Sequence, residues 1–321
     1  MSDTIRILIP DDLPKECLNV FESAGFEVIF DPNMTPEEIK AAVPTVDGMV
    51  VRSKVKVTRE IIEAGSRLKL IGRAGVGYDN IDVQAATERG VAVMNVPGAN
   101  AASVAELTLG MMLALSRHLV EANESMKAGK WEKKRFKGHE IMGKTLGLVG
   151  LGKVGVEVAK RAIGFGMKVI ANDPRFTAED AVPFNVKIVE FDELLQQSDF
   201  ISLHLPLTEH TFHLFGQETL EKCKKGVYLI NCARGEIVDE KALFDAIRSG
   251  HVAGAALDVF EKEPPSNSPL RKLLNVIMTP HIGASTTEAQ LRVATKVARQ
   301  MVEYFKEDKV ENVVNPEAIL R

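Results

Sequence analysis

Short apolar runs rich in Val and Ile alternate along the chain with longer segments whose apolar residues recur every three or four positions. The first pattern predicts strands and the second predicts helices packed beside them; their alternation implies parallel sheets. In the first hundred residues strands are expected at Ile5–Ile9, Phe26–Phe30, Gly48–Val51, Leu70–Ile71 and Ala92–Asn95. Helices fall between them, at roughly Pro14–Ala24, Pro36–Ala42 and Thr58–Ala64. That spacing suffices for a compact doubly wound unit.

One long helix is predicted from about Val104 to Ala128, with a capping-box pattern at Ser103 and Glu106 and Gly129 beyond its end. Its first half (Val104, Leu107, Leu109, Met111, Met112, Leu113, Leu115) is apolar nearly all round. Such a helix is buried on more than one side. It is expected to lie between domains or subunits, with more apolar surface than one domain covers, which predicts a homodimer or homotetramer. A second βα series follows, with strands at Thr145–Val149, Lys168–Asn172, Phe200–Leu203, Tyr228–Asn231, Gly254–Asp258 and Val276–Met278. A last helix is expected from the capping pattern Ser285 and Glu288 to about Glu307. The tail Val313-Val314-Asn315-Pro316 is too short to be a domain and has to pack on one already built. The expected fold class is α/β, with two doubly wound parallel-sheet domains, the second inserted into the first.

Composition narrows the partners. A chain of 321 residues is long enough for about two domains. Its 40 Lys and Arg against 44 Asp and Glu give a net charge of −4, which argues against nucleic acid. One Trp and three Tyr also make a poor base-stacking platform. No window reaches the roughly 18 apolar residues of a membrane span; the most apolar stretch is broken by Glu106 and Thr108. The N-terminus lacks the basic and apolar regions of a signal peptide. Cys17, Cys223 and Cys232 share no metal or redox spacing and read as buried thiols of a cytoplasmic protein. His210 and His213 are helix-spaced but lack a third ligand, so no metal site is expected.

The sharpest local signal is Gly150-Leu-Gly152-Lys153-Val154-Gly155, between a predicted strand and a helical pattern. Gly150 permits the tight turn, Gly152 lets backbone approach a pyrophosphate, and Gly155 lets helix and strand close up. The helix N-terminus then presents N–H groups to phosphate. The next strand runs into Asp173, 18 residues after Gly155, where an acid binds the adenosine ribose hydroxyls. This reads as a Rossmann dinucleotide-binding domain. A carboxylate at that place favours NAD over NADP, although Arg175 is a cation that a 2′-phosphate can use.

Three further segments sit at strand ends of the second series: Leu229-Ile-Asn-Cys-Ala-Arg-Gly235, Ala256-Leu-Asp-Val-Phe-Glu-Lys-Glu-Pro-Pro265 and Thr279-Pro-His-Ile-Gly-Ala-Ser285. With Gly72-Arg-Ala-Gly-Val-Gly-Tyr-Asp-Asn80 they resemble the D-isomer-specific 2-hydroxyacid dehydrogenase family over essentially the whole chain. Val51-Arg-Ser53 and Gly129-Lys-Trp131 resemble the branch that oxidises D-3-phosphoglycerate with NAD at the start of serine biosynthesis. The resemblance implies a catalytic trio of Arg234, Glu263 and His281. It implies further cofactor contacts at Leu205, Cys232, Ala233, Asp258, Gly283 and Ala284. It also implies a substrate domain of residues 1–99 and 284–321 around a nucleotide domain of residues 100–283. Val76 stands where relatives often carry Thr, so one cofactor-side hydroxyl contact is missing. Many members of that branch continue into a serine-binding domain, whereas this sequence stops at Arg321, so little inhibition by L-serine is expected.

The residue types suit that chemistry. His281 titrates near neutrality and is fit to take a hydroxyl proton. Glu263, if beside it, favours and orients the imidazolium. Arg234 offers a fixed fork to a carboxylate. Gly75-Val76-Gly77 lacks a third glycine and a following long helix, and reads instead as an anion nest for the substrate carboxylate. Arg52, at a strand end before Ser53, is placed to meet a phosphate, and Arg135 can reach a partner subunit's site. The resemblance adds Asn100 as a substrate contact. His204 reads as structural or cofactor-proximal. Reduction of glyoxylate or hydroxypyruvate is the alternative within the family, and an NAD-sensing corepressor the alternative outside it.

Overall fold

The computed structural model describes residues 4–320. It divides into two compact units, one joining the chain up to Asn100 to the chain from Ser285, the other spanning Ala101–Ala284. The first unit alternates β1 (Arg6–Ile9), α1 (Lys15–Ser23), β2 (Glu27–Phe30), α2 (Pro36–Ala42) and β3 (Gly48–Val51). It continues with α3 (Arg59–Ala64), β4 (Leu70–Arg73), α4 (Val83–Glu88) and β5 (Ala92–Met94). The second unit opens with α5 (Ala101–Arg117) and α6 (Leu119–Lys127), then β6 (Thr145–Val149), α7 (Lys153–Gly164) and β7 (Lys168–Asn172). There follow α8 (Ala178–Ala181), β8 (Lys187–Ile188), α9 (Phe191–Gln197), β9 (Phe200–Leu203) and α10 (Gln217–Lys222). It ends with β10 (Val227–Asn231), α11 (Glu240–Arg248), β11 (Val252–Leu257) and β12 (Val276–Met278), before α12 (Thr287–Glu307) returns to the first unit.

Both sheets are wholly parallel. Their order is β2-β1-β3-β4-β5 in the first unit and β12-β11-β10-β9-β6-β7-β8 in the second. Helices on both faces explain why β3 is buried at all four residues and why these strands are apolar without alternation. In the first unit the order reverses between β1 and β3, whose carboxyl ends carry Asp11 and Arg52. In the second it reverses between β6 and β9, beside the Gly150 turn and His204. Ligands bind open parallel sheets at such switch points.

Helix α12 lays Val293, Val297 and Met301, spaced by one turn, into the first core, with Ala294 and Ala298 beside them. Gly72 of β4 makes room, since a Cβ there would stand 2.4 Å from Met301 Sδ. The returning tail covers β5: Asn95 N donates to Asn312 O, Val314 N donates to Val93 O, and Met94 bridges Val313. Asn315, 2% exposed, accepts from Val93 N and donates to Val91 O and Thr87 Oγ1, so the edge of the sheet is closed.

The long helix expected up to Ala128 is in fact two, because His118 takes a left-handed φ of 51° between α5 and α6. Ser103 does not cap it: α5 begins at Ala101, and Ser103 is buried in its first turn. Nor is α5 short of cover. Leu109, Met111, Met112 and Leu115 are buried in a core shared with Val158, Ala159 and Ala162 of α7 and Leu146 and Leu148 of β6. A run of exposed apolar side chains lies just after it, at Leu119, Val120, Met126 and Trp131. The cap of α12 is Thr286, whose Oγ1 accepts from Ala289 N, one residue beyond Ser285. The two-residue β8 is too short to register as a hydrophobic pattern. No helix among the described residues is long and apolar enough to cross a membrane.

Candidate active site

The turn after β6 has the features a dinucleotide cradle requires. Gly150 sits at φ +96°, and a Cβ on it would stand 2.4 Å from His204 O. A Cβ on Gly155 would meet Gly150 O at the same distance, so α7 closes on the turn only with glycine there. At Gly152 the nearest atom to such a Cβ is Arg175 Nη2 at 3.6 Å, which leaves the approach to the α7 N-terminus open. Lys153 is exposed in the first turn, and Val154 packs inward. These residues fit a bound dinucleotide pyrophosphate.

Asp173, 4% exposed, ties the end of β7 to this turn. Its Oδ2 accepts from Leu151 N at 2.8 Å and from Arg175 Nη2 at 2.8 Å. Its Oδ1 accepts from Arg175 N and Nε, both at 3.0 Å. Burial alone would raise the pKa of this carboxyl, but the Arg175 fork and the two N–H donors outweigh it and hold the group at about 2. Arg175 is therefore clasped to the acid.

At the neighbouring strand ends three loops lock together. Asn231, wholly buried at the end of β10, accepts from Ala233 N at 2.9 Å and donates to Arg234 O at 2.8 Å. That fixes the backbone of Arg234, whose Nη1 donates to Ala233 O. Gly235 then packs directly on Phe260, where a Cβ would come within 1.9 Å of its carbonyl carbon. After β11, Glu263 accepts from Phe260 N at 3.3 Å and turns its other oxygen to His281 Nδ1 at 2.8 Å. His281 stands at φ +53°, its N–H donating to Asp258 O and Thr279 O. Glu263 is the first cause of an imidazole pKa raised above 6.5, stronger than the opposing effect of burial. Burial pushes Glu263 up, yet the His281 hydrogen bond and charge hold it below the usual carboxylate range.

Asp258 and the Gly283 N–H, both expected at the cofactor, bond to each other at 2.7 Å. Ala284 follows, exposed. Leu205 and Ala233 are half-buried against the core. The Cys232 thiol lies 3.8 Å from Met111 Sδ, and burial pushes its pKa to about 12. His204 Nε2 bonds Ser202 Oγ at 2.8 Å, and burial lowers its pKa to about 3, so it is neutral. Among the described residues no His, Cys, Asp or Glu group is arranged for a metal ion.

The first unit carries the expected substrate residues. Arg52 N donates to buried Asp11 at 2.9 Å, and Arg52 Nη1 donates to Asp12 O at 3.1 Å. Ser53 is exposed beside it. In the Gly75-Val76-Gly77 turn, Gly75 O accepts from Val96 N, and Val76 O accepts from Asn95 Nδ2. Arg73 Nη1 occupies the place of a Gly75 Cβ, a cation under the turn that sequence reading did not single out. Asn100 is half-buried immediately before α5. Arg135, in the second unit, pairs with Glu132 and lies over Phe136. Sequence reading does not single out Asn231 or Asn80 either, the latter donating its side-chain amide to Arg52 O and Val55 O; both stand in the quoted motifs, but nothing in a linear motif says which backbone an amide will grip.

The clasped carboxylate predicts a preference for NAD over NADP that resides in Asp173. Replacing it by Ser removes the charge opposing a 2′-phosphate and frees Arg175 to meet one. The NADP to NAD ratio of kcat/KM is expected to rise in Asp173→Ser. Equal use of both coenzymes by the unaltered protein would remove Asp173 from that role.

Residues 109–283 match the NAD-binding domain of D-isomer specific 2-hydroxyacid dehydrogenase. A D-3-phosphoglycerate dehydrogenase of Methanocaldococcus jannaschii is 49% identical over 97% of this chain, which spans only 59% of that relative's length. A hydroxypyruvate reductase of Thermotoga maritima is 50% identical over 94% of this chain and 98% of its own length. The structure of NAD+-bound 3-phosphoglycerate dehydrogenase from Entamoeba histolytica superposes with a TM-score of 0.82 at 34% identity, covering 97% of this chain and 99% of that one. This chain belongs to the D-isomer specific 2-hydroxyacid dehydrogenase family and carries that family's NAD-binding domain.

Proposed function

We propose that this protein oxidises D-3-phosphoglycerate to 3-phosphohydroxypyruvate with NAD, the opening step of the phosphorylated route to serine. The observation that carries the hydride-transfer chemistry is the Glu263–His281 pair, 2.8 Å apart between the loops after β11 and β12; the phosphorylated substrate rests on Arg52 at the switch point of the first sheet. With Nδ1 engaged by Glu263, the imidazole has Nε2 left to take the substrate hydroxyl proton. The imidazolium so formed is stabilised by the carboxylate. Arg234 holds the substrate carboxylate and polarises the carbonyl in the reverse direction. Bound NAD supplies the hydride acceptor. In the first unit, the Gly75 N–H is engaged by Arg73 O; the N–H groups of Val76 and Gly77 meet the carboxylate, and Arg52 with Ser53 takes the phosphate.

A second reading, reduction of hydroxypyruvate, is favoured by the Thermotoga maritima relative, which matches over nearly the whole of both chains. The acid–base chemistry is the same; the two readings part at the phosphate.

We also read the assembly as a homodimer or larger closed oligomer. The support is the apolar surface of α6 and the segment beyond it, where Trp131 is 79% exposed and Leu119 and Met126 of the same stretch of chain are exposed as well.

His281→Ala should slow the chemical step by about 10²–10⁴-fold, the range of a positioned acid–base group, and change NAD affinity far less. Near-normal turnover with chemistry rate-limiting would sink the assignment. Oxidation needs the neutral imidazole, so the rate rises as pH passes through its raised pKa. Glu263→Gln removes the main cause of that rise; its acid limb should move to lower pH while the maximal rate falls, and an unmoved limb would deny the pairing.

For the phosphate, Arg52→Ala should cut kcat/KM for D-3-phosphoglycerate by about ten- to a hundred-fold, the loss of one charged contact. An unphosphorylated 2-hydroxy acid should suffer much less. Equal losses would favour the hydroxypyruvate reading. For the assembly, sedimentation velocity at micromolar concentration should give a dimer or tetramer, and a monomer there would refute it.

A further inference from the structure

Asn80 spends both of its side-chain N–H groups on one loop, donating to Arg52 O and to Val55 O, each at 2.7 Å. Its own carbonyl accepts from Val57 N, and Asp82 N donates to Val57 O, so the chain after Val55 is zipped to the chain after Asn80. From the opposite side Asp11, buried at the end of β1, accepts from Arg52 N at 2.9 Å and Val55 N at 3.4 Å. Arg52 and Val55 are thus gripped at both N–H and C=O, which leaves Ser53 and Lys54 as an exposed tip. This tip lies at the switch point of the first sheet.

The same Asn80 closes the segment that begins at the Gly75–Gly77 turn. That turn is held at its other end by Asn95 Nδ2 on Val76 O and Val96 N on Gly75 O. One amide therefore joins the loop carrying Arg52 to the segment carrying the anion nest. Two rigid anion-binding elements at fixed separation form a gauge for a substrate with an anion at each end.

We propose that Asn80 sets the separation of these two elements and so selects for a short acid bearing a second anionic group, with Asp11 as the opposing half of the clamp. Both are positioning residues, and the inference rests on the substrate reading given above. Its chemical content is a specificity carried by backbone geometry rather than by a further charge. Loosening the loop should leave Arg52 present but no longer held where a phosphate meets it.

The test compares NADH-dependent reduction of 3-phosphohydroxypyruvate with that of hydroxypyruvate. Asn80→Ala is expected to lower kcat/KM for the phosphorylated acid by about ten- to a hundred-fold, mainly through KM. The loss for hydroxypyruvate should be at least about ten times smaller, because the shorter acid lacks the second anion. Far-UV circular dichroism and thermal unfolding, to which the helices of the first unit contribute, report whether the variant is folded. If Asn80→Ala is unfolded by that measure, Asp11→Ala decides: it removes the acceptor shared by Arg52 N and Val55 N and should bias against the phosphorylated acid in the same direction. Equal losses on both substrates, or none on either, overturn the proposal. If Arg52→Ala discriminates while neither clamp variant does, the gauge is wrong and the substrate reading stands. If Arg52→Ala also fails to discriminate, the substrate reading itself falls.

Discussion

Asp258 is 1% exposed, and its carboxylate accepts from Thr279 Oγ1 and from the N–H groups of Ile282 and Gly283. A charge buried that deeply is tolerable only when its oxygens are satisfied. Here each of these donors comes from one short loop, so the loop has little freedom once the carboxylate is buried. The consequence is a His281 with left-handed backbone, a conformation that costs energy in isolation and persists where its surroundings over-determine it. The imidazole then arrives opposite Glu263, whose own loop is set by Phe260 N and by the close packing of Gly235 on Phe260.

The same device recurs at other strand ends. Asn231 fixes the backbone of Arg234, Asp173 binds the Gly150 turn through Leu151 N, and Asp11 with Asn80 grips the loop of Arg52. Asn315 does it at the sheet edge, sealing β5 with the returning tail. A parallel sheet brings every loop at its carboxyl end to one side, and unpaired backbone groups there need partners. Short polar side chains supply them at little entropic cost compared with long ones. Residues that face substrate can then be long and charged, because their backbones are already held.

Electrostatics follows from this packing. His204, half-buried at a strand end with Ser202 as partner, is pushed toward the neutral form, while His281 has a carboxylate at hydrogen-bond distance and is biased toward the charged form. Two histidines in loops of one sheet thus acquire opposite tendencies. The difference lies in what surrounds each ring. The clasp of Arg175 on Asp173 is a further case, holding an acid ionised in a place where burial alone would favour the neutral form.

Local pattern by itself determined every strand but the two-residue β8, and among the helices α1, α2, α3, α7 and α12, because a strand buried on both faces has to be a short apolar run and a long packed helix has to show one apolar stripe. It also determined the Gly150 turn, where only glycine tolerates φ +96° and the approach of His204 O. Motif order pointed to Arg234, Glu263 and His281 as a group. Tertiary structure alone decided the break at His118, since a left-handed residue leaves no trace in hydrophobic periodicity, and it decided that α5 is covered within its own unit while α6 is not. It decided, too, that Asn80, Asn231 and Asp258 grip particular loops. A side chain's hydrogen-bond partners lie up to 28 residues away along the chain in these cases, and that distance is closed only by the sheet.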